Sequence, residues 1–133
     1  MKKLIWSDNL NTGIQVIDRQ HMRIVDYINR LYDAHMNGSS KEETANVIDE
    51  LVDYTLTHFA FEETMLEDVN YAALESHKVF HDQFIQQVRE IRARFEEHEP
   101  AAVELNNLMV TWLFNHILHE DAAYVASVVN NKS

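Results

Sequence analysis

The stretch of sequence that decides the fold is LESHKVFHDQFIQQVREIRARF, residues 74–95. Its apolar residues and its two histidines recur at steps of three and four, as they do on one face of a helix that packs against other helices. This face carries Leu74, His77, His81, Phe84, Val88, Ile91 and Phe95. The pattern predicts an amphipathic helix, with two histidines where apolar side chains are expected.

Three further segments show the same periodicity, so the sequence predicts four helices. Asn37 and Gly38 provide a left-handed stop after the first segment. Ser40 and Glu43 form a capping box at the start of the second. The predicted helices span about residues 18–37, 40–67, 71–97 and 100–129, after an N-terminal arm of residues 1–17.

The connections between these helices are short, so sequential neighbours should be antiparallel. We therefore predict an all-α fold, with residues 1–133 forming a single domain built as an up-down-up-down antiparallel four-helix bundle. The composition agrees with this prediction. Two glycines and one proline are too few for the frequent turns of a β-sandwich or a β-barrel.

Charge and composition exclude several classes of function. A formal net charge of −11 repels nucleic-acid phosphates and anionic membrane surfaces. The chain has no cysteine, which excludes disulfides, zinc–thiolate sites and iron–sulfur clusters. The N-terminal apolar run stops at Ser7, too early for a signal peptide, and no stretch approaches the roughly 18 apolar residues of a membrane span. We expect a cytoplasmic protein without membrane insertion.

Histidine is the unusual component, with eight residues in the chain. Five histidines and one glutamate share the core-facing stripes with leucines, isoleucines and phenylalanines. One such histidine is more often a hydrogen-bonded core residue than a metal ligand. A whole set spread over four helices needs a common partner, and a metal site inside the bundle supplies it. The set is His21, His58, Glu62, His77, His81 and His116.

The spacings within single helices are weaker indications than their order along the chain. The pair His58 and Glu62 and the pair His77 and His81 each place two donors one turn apart, which suits chelation. However, the first spacing recurs in the fourth helix, and His-xxxx-Asp occurs three times in the chain. No single motif is specific, so the prediction depends on the ordered set.

This ordered set resembles the hemerythrin family. A single histidine in the first helix is followed by HxxxE in the second, HxxxH in the third and HxxxxD, ending at Asp121, in the fourth. The likeness covers almost the whole chain. It includes Trp6, the run from Gly13 to His21, and the run Trp112-Leu113-x-x-His116-Ile117.

The resemblance implies a cofactor of two iron ions (Fe2+/Fe3+). One iron would be ligated by His77, His81 and His116, and the other by His21 and His58. A bridge between them would consist of Glu62, Asp121 and a solvent-derived oxo or hydroxo group. The first iron then has six donors and the second five, which leaves one position for molecular oxygen.

The implied function is reversible oxygen binding for transport, storage or delivery. A set of five imidazoles and two carboxylates favours reversible electron transfer to oxygen over O–O cleavage, so we expect no enzyme and no catalytic residue. Four apolar residues have two interpretations, as ordinary core residues or as the wall of a dry oxygen pocket. They are Phe59, Trp112, Leu113 and Ile117.

The remaining polar candidate residues are less firmly assigned by the sequence. Asp121 lies about 140° around an ideal helix from His116, so Glu120 is better aligned, and a π-bulge between 116 and 121 would correct the angle. We expect His35, His98 and His119 to be exposed, with a role beside the site as the alternative for His119. A hydrogen bond near the site is expected for Tyr124.

The same donor set also suits other functions. These are an oxygen or redox sensor, a di-iron enzyme such as a peroxidase or a nitric-oxide-handling protein, and an iron store. For the leading function, the expected partners are molecular oxygen and an oxygen-consuming recipient protein. Nothing in the sequence requires an oligomer, so we expect a monomer.

Overall fold

The computed structural model describes residues 4–95, 101–116, 123–125 and 128. A short 3-10 helix spans Asp8–Leu10, followed by helices α1, α2, α3 and α4. The described part of the chain contains no strand, so the predicted all-α fold is confirmed. The four helices are Gln15–Met36, Lys41–Asp68, Leu74–Phe95 and Ala101–Asn115.

Helix α1 begins at Gln15, earlier than the hydrophobic stripe indicates, because a side chain in its first turn holds the preceding loop. The Asp18 carboxylate accepts hydrogen bonds from Thr12 N at 2.7 Å, Thr12 Oγ1 at 2.8 Å and Gly13 N at 3.2 Å. Gly13 has a positive φ of 88°, which a glycine adopts without strain. Asp18 therefore fixes the N-terminal arm on the first helix.

The ends of α1 and α2 follow local sequence signals. Gly38, with φ of 66°, closes α1 in the left-handed conformation. The Ser40 hydroxyl accepts a hydrogen bond from Glu43 N at 3.1 Å and caps α2. Asn70, with φ of 54°, turns the chain after α2, and Leu74 begins α3. Asparagine tolerates this conformation better than most residues.

The four helices pack in a ring, since α1 and α3 each contact both α2 and α4. Two apolar clusters occupy the interior. The larger cluster contains Ile24 and Phe59, and the smaller one contains Ile17 and Leu66. His21 lies one turn from Ile17 and one turn from Ile24, so the histidine layer separates the two clusters. No described helix is long and apolar enough to cross a membrane.

Replacing Asp18 by alanine should lower the free energy of unfolding by about 2 kcal/mol, because three hydrogen bonds to a charged acceptor are lost. Urea denaturation followed by circular dichroism measures the change. The matched control is Asp26→Ala, which removes an exposed carboxylate from the same helix. An equal effect of the two substitutions would show that the carboxylate of Asp18 does not stabilise the arm.

Candidate metal centre

All five core histidines predicted from the sequence, together with Glu62, meet in one buried layer. His21 comes from α1, His58 and Glu62 from α2, and His77 and His81 from α3. His116 directly follows α4. No side chain of this set is more than 3% exposed. Because the donors come from all four helices, the site exists only in the assembled bundle.

The Glu62 carboxylate lies at the centre of this layer, with each oxygen facing imidazoles. Its Oε1 is hydrogen-bonded to His77 Nε2 and lies 3.2 Å from His81 Nε2. Its Oε2 lies 3.2 Å from His58 Nε2 and 3.4 Å from His116 Nε2. The carboxylate is thus shared between the histidines of three helices.

His21 completes the layer from α1. Its ring centroid lies 4.8 Å from that of His58 and 5.9 Å from that of His116. Both ring pairs are edge-to-face, with interplanar angles of 68° and 82°. The imidazole of His21 therefore belongs to the same group of donors, through its ring contacts with His58 and His116.

The donor atoms fall into two overlapping groups whose members all lie within 4.8 Å of one another. Each group has four buried residues, and Glu62 and His116 belong to both. His58 Nε2 and His81 Nε2 face Glu62 at 3.2 Å without forming a hydrogen bond. Buried nitrogens without such bonds are costly, and a metal ion would satisfy them. The groups are His21, His58, Glu62 and His116, and Glu62, His77, His81 and His116.

The charge states in this layer suit metal binding. Burial, together with the neighbouring His58 and His116, lowers the pKa of His21 well below its usual value. Burial lowers the pKa of His116 to about 4. Burial alone would raise the pKa of Glu62, but the electrostatic interaction with His116 and the hydrogen bonds with His116 and His77 hold it well below its usual value. Neutral imidazoles and an ionised carboxylate are the forms that ligate metals.

Two polar side chains outside the layer lie beside its imidazoles, one of them within hydrogen-bonding distance, and the sequence analysis missed both. His58 Nδ1 donates to Gln20 Oε1 at 2.6 Å, which directs the other ring nitrogen towards Glu62. His81 Nδ1 lies 3.6 Å from Glu63 Oε1. Each pair joins residues of different helices, so no spacing within one helix indicates it. Such outer partners fix the tautomer and the orientation of metal-ligating histidines.

Aromatic rings enclose the imidazoles on the side of the larger apolar cluster. Phe59 stacks on His81 with centroids 3.8 Å apart, and Trp112 stacks on His116 at 4.6 Å. Phe80, which the sequence analysis did not select, is parallel to His116 at 6.4 Å. Phe59, Trp112 and Leu113 are buried. Burial is expected of them both as ordinary core residues and as the wall of a dry oxygen pocket. Ile117 lies outside the described residues.

Asp121, the carboxylate ligand predicted in the fourth helix, also lies outside the described residues, as do Glu120, His98 and His119. His116 itself is in a π-helical turn, at the position where the predicted bulge between 116 and 121 would begin. His35 is exposed, as expected. The hydrogen bond expected for Tyr124 is present, since its hydroxyl donates to Glu62 Oε2 at 3.2 Å.

The fold and the buried donor set define a metal-binding four-helix bundle protein with a histidine-rich site. Residues 12–128 match the family profile described as hemerythrin HHE cation binding domain. The chain belongs to the hemerythrin family, whose members are non-haem iron, oxygen-binding proteins and generally not enzymes.

Individual relatives agree with this assignment. The chain is 53% identical to a bacteriohemerythrin of Pseudomonas aeruginosa over 133 residues, which is 100% of this chain and 86% of the relative. It is 44% identical to a bacteriohemerythrin of Stenotrophomonas maltophilia, covering 96% of this chain and 83% of the relative. A crystal structure of a hemerythrin point mutant superposes with a TM-score of 0.85 at 28% identity, covering 96% and 98% of the two chains.

Replacing Gln20 by leucine should weaken the binding of ferrous iron by about 10- to 100-fold, because His58 loses the acceptor that orients it. Anaerobic titration against a competing chelator measures the affinity. Gln20→Glu keeps an acceptor and should retain more of the affinity. Gln86→Leu, an exposed position on α3, is the control. Equal iron affinity of Gln20→Leu and Gln86→Leu would show that Gln20 does not orient His58 for metal binding.

Proposed function

We propose that this chain binds molecular oxygen reversibly at a non-haem di-iron centre, in oxygen transport, storage or delivery. The observation that carries the proposal is the pair of overlapping donor groups built on one buried carboxylate. Five imidazoles and few carboxylates suit ferrous iron and reversible electron exchange. Membership of an oxygen-binding family supports the same conclusion.

The proposed ligands divide between the two irons. His77, His81 and His116 would hold one iron, and His21 and His58 the other. Glu62 is suited to bridge them because Oε1 faces the α3 histidines, whereas Oε2 faces His58 and also His116, which belongs to both donor groups. The second protein bridge, Asp121, is proposed from the resemblance to the family alone, together with a solvent-derived oxo or hydroxo group.

When bound, the iron pair supplies the electrons that oxygen takes up on binding and returns on release. The residues of the chain hold the site and keep it dry. Phe59, Trp112 and Leu113 are between 1% and 5% exposed and place hydrocarbon beside the imidazoles. Exclusion of water opposes the protonation that would make oxygen loss irreversible. No described side chain is needed as an acid or a base, which agrees with binding rather than catalysis.

The proposal predicts a reversible colour change. Iron-loaded protein, reduced without air and containing two irons per chain, should develop a visible charge-transfer band on exposure to oxygen. The band should disappear under vacuum and return with fresh oxygen, as followed by absorption spectroscopy. His77→Gln should abolish it because a proposed ligand is lost, whereas His35→Gln, at an exposed histidine, should not. Immediate irreversible oxidation of the wild-type protein would instead indicate a sensor or an enzyme.

Replacing Leu113 by threonine should speed autoxidation of the oxygenated protein several-fold, because a hydroxyl brings water into the dry wall. The rate is the decay of the charge-transfer band in air. Leu113→Met keeps an apolar side chain of similar volume and should decay close to the wild-type rate. Equal decay of all three proteins would show that Leu113 is an ordinary core residue.

A further inference from the structure

Two tyrosines connect the buried carboxylate with the protein surface. The fully buried Tyr124 donates its hydroxyl to Glu62 Oε2 at 3.2 Å, and its ring centroid lies 5.8 Å from that of His77. The ring of Tyr71 meets that of Tyr124 edge-on, with centroids 6.3 Å apart. Tyr71 is only partly buried, so it is accessible to molecules in solution. The line Glu62, Tyr124, Tyr71 thus runs from the site to solvent through one hydrogen bond and one ring contact.

The position of Tyr124 is unusual for a phenol. It lies in the smaller apolar cluster with Ile14, Ile17, Leu66 and Val128, where a phenylalanine would fill the same space. Burying a hydroxyl is favourable only when it finds a partner, and here that partner is Glu62. The hydroxyl therefore adds a property that packing alone does not require, because a phenol can be oxidised at potentials where a phenyl ring cannot.

The other oxidisable ring beside the site, that of Trp112, meets no second oxidisable ring among the described residues. Trp112 stacks on His116, but its remaining described ring neighbours are Phe59 and Phe84, both buried. Phenylalanine does not serve as a redox carrier. Among the described residues, the two tyrosines are the oxidisable rings that join Glu62 to the surface.

We propose that Tyr124 and Tyr71 form a redox relay that protects the site from hydrogen peroxide. The relay delivers electrons singly from reductants in solution, such as ascorbate or thiols, to the iron site after peroxide has oxidised it. This function rests on the iron site proposed above. It gives Tyr124 and Tyr71, which are not proposed metal ligands, a role in electron transfer when peroxide is present, in addition to oxygen binding at the site.

The electrons and protons balance over two turns of the relay. One hydrogen peroxide takes two electrons through the relay and two protons from solvent, and leaves as two water molecules. In each turn Tyr124 gives one electron to the site while its phenolic proton moves to Glu62 Oε2. Tyr71 then gives one electron to Tyr124, the proton returns from Glu62, and Tyr71 releases its own proton to solvent. A reductant in solution restores Tyr71 with one electron and one proton.

The short contacts explain why the relay would compete with damage. Electron transfer between groups in a protein slows steeply with distance, and each step here crosses one ring contact. Without the relay, an oxidised site takes electrons from the next oxidisable side chain, which is Trp112, stacked on His116. Removing the Tyr124 hydroxyl should therefore shift oxidation from tyrosine to Trp112.

The test is to mix iron-loaded protein with one equivalent of hydrogen peroxide, freeze the sample and record its electron paramagnetic resonance spectrum. The wild-type protein should show a tyrosyl radical that ascorbate removes. Tyr124→Phe should lose this signal and accumulate oxidised Trp112, identified by mass spectrometry of peptides. Tyr71→Phe should keep the radical on Tyr124 but slow its removal by ascorbate. Tyr71→Phe also tests the relay if Tyr124→Phe does not fold.

The control is Tyr54→Phe, since Tyr54 contacts Tyr27 and Arg23 and no histidine ring. It should behave as the wild type does. The relay is overturned if Tyr124→Phe keeps the wild-type radical, if ascorbate removes the radical of Tyr71→Phe at the wild-type rate, or if Tyr54→Phe loses the signal. Iron content and oxygen spectra of the same samples separate the two proposals. Protein that binds iron and oxygen but forms no radical overturns the relay alone, and protein that takes up no iron overturns both.

Discussion

The burial of one carboxylate among imidazoles is the constraint on which the rest of this structure depends. Glu62 is fully buried, and removing a charged group from water costs several kcal/mol unless other groups compensate for it. Histidines from α2, α3 and the residue after α4 provide the compensation, and His21 joins them from α1. The donors around Glu62 thus connect α1, α2, α3 and the end of α4 through one buried carboxylate.

The sequence was sufficient to predict the bundle and the buried donors, because both follow from one periodicity. A residue on the stripe of Ile24 or Phe84 faces the core, whatever its chemistry. His21, His77 and His81 therefore had to be buried once the helices were predicted, and the structure places them so. Local signals were equally direct, since Ser40 and Gly38 act through residues only a few positions away.

The features that the sequence did not reveal all join distant parts of the chain or depend on backbone detail. The bond from His58 to Gln20 spans 38 positions, and the partner of the hydrogen bond expected for Tyr124, Glu62, lies 62 positions away. The register of one helix against another decides such pairs, and periodicity within a helix does not contain it. The start of α1 was missed for a related reason, because Asp18 acts on a loop that has no periodicity of its own.

The position of the polar layer between two apolar clusters has a consequence for how the protein matures. Small metal-dependent domains often have too little core to fold without their ion. Here Ile28 and Leu51 on one side of the layer and Ile17 and Leu66 on the other are fully buried among apolar side chains. We therefore expect the apolar packing above and below the layer to hold the bundle together before the metal binds.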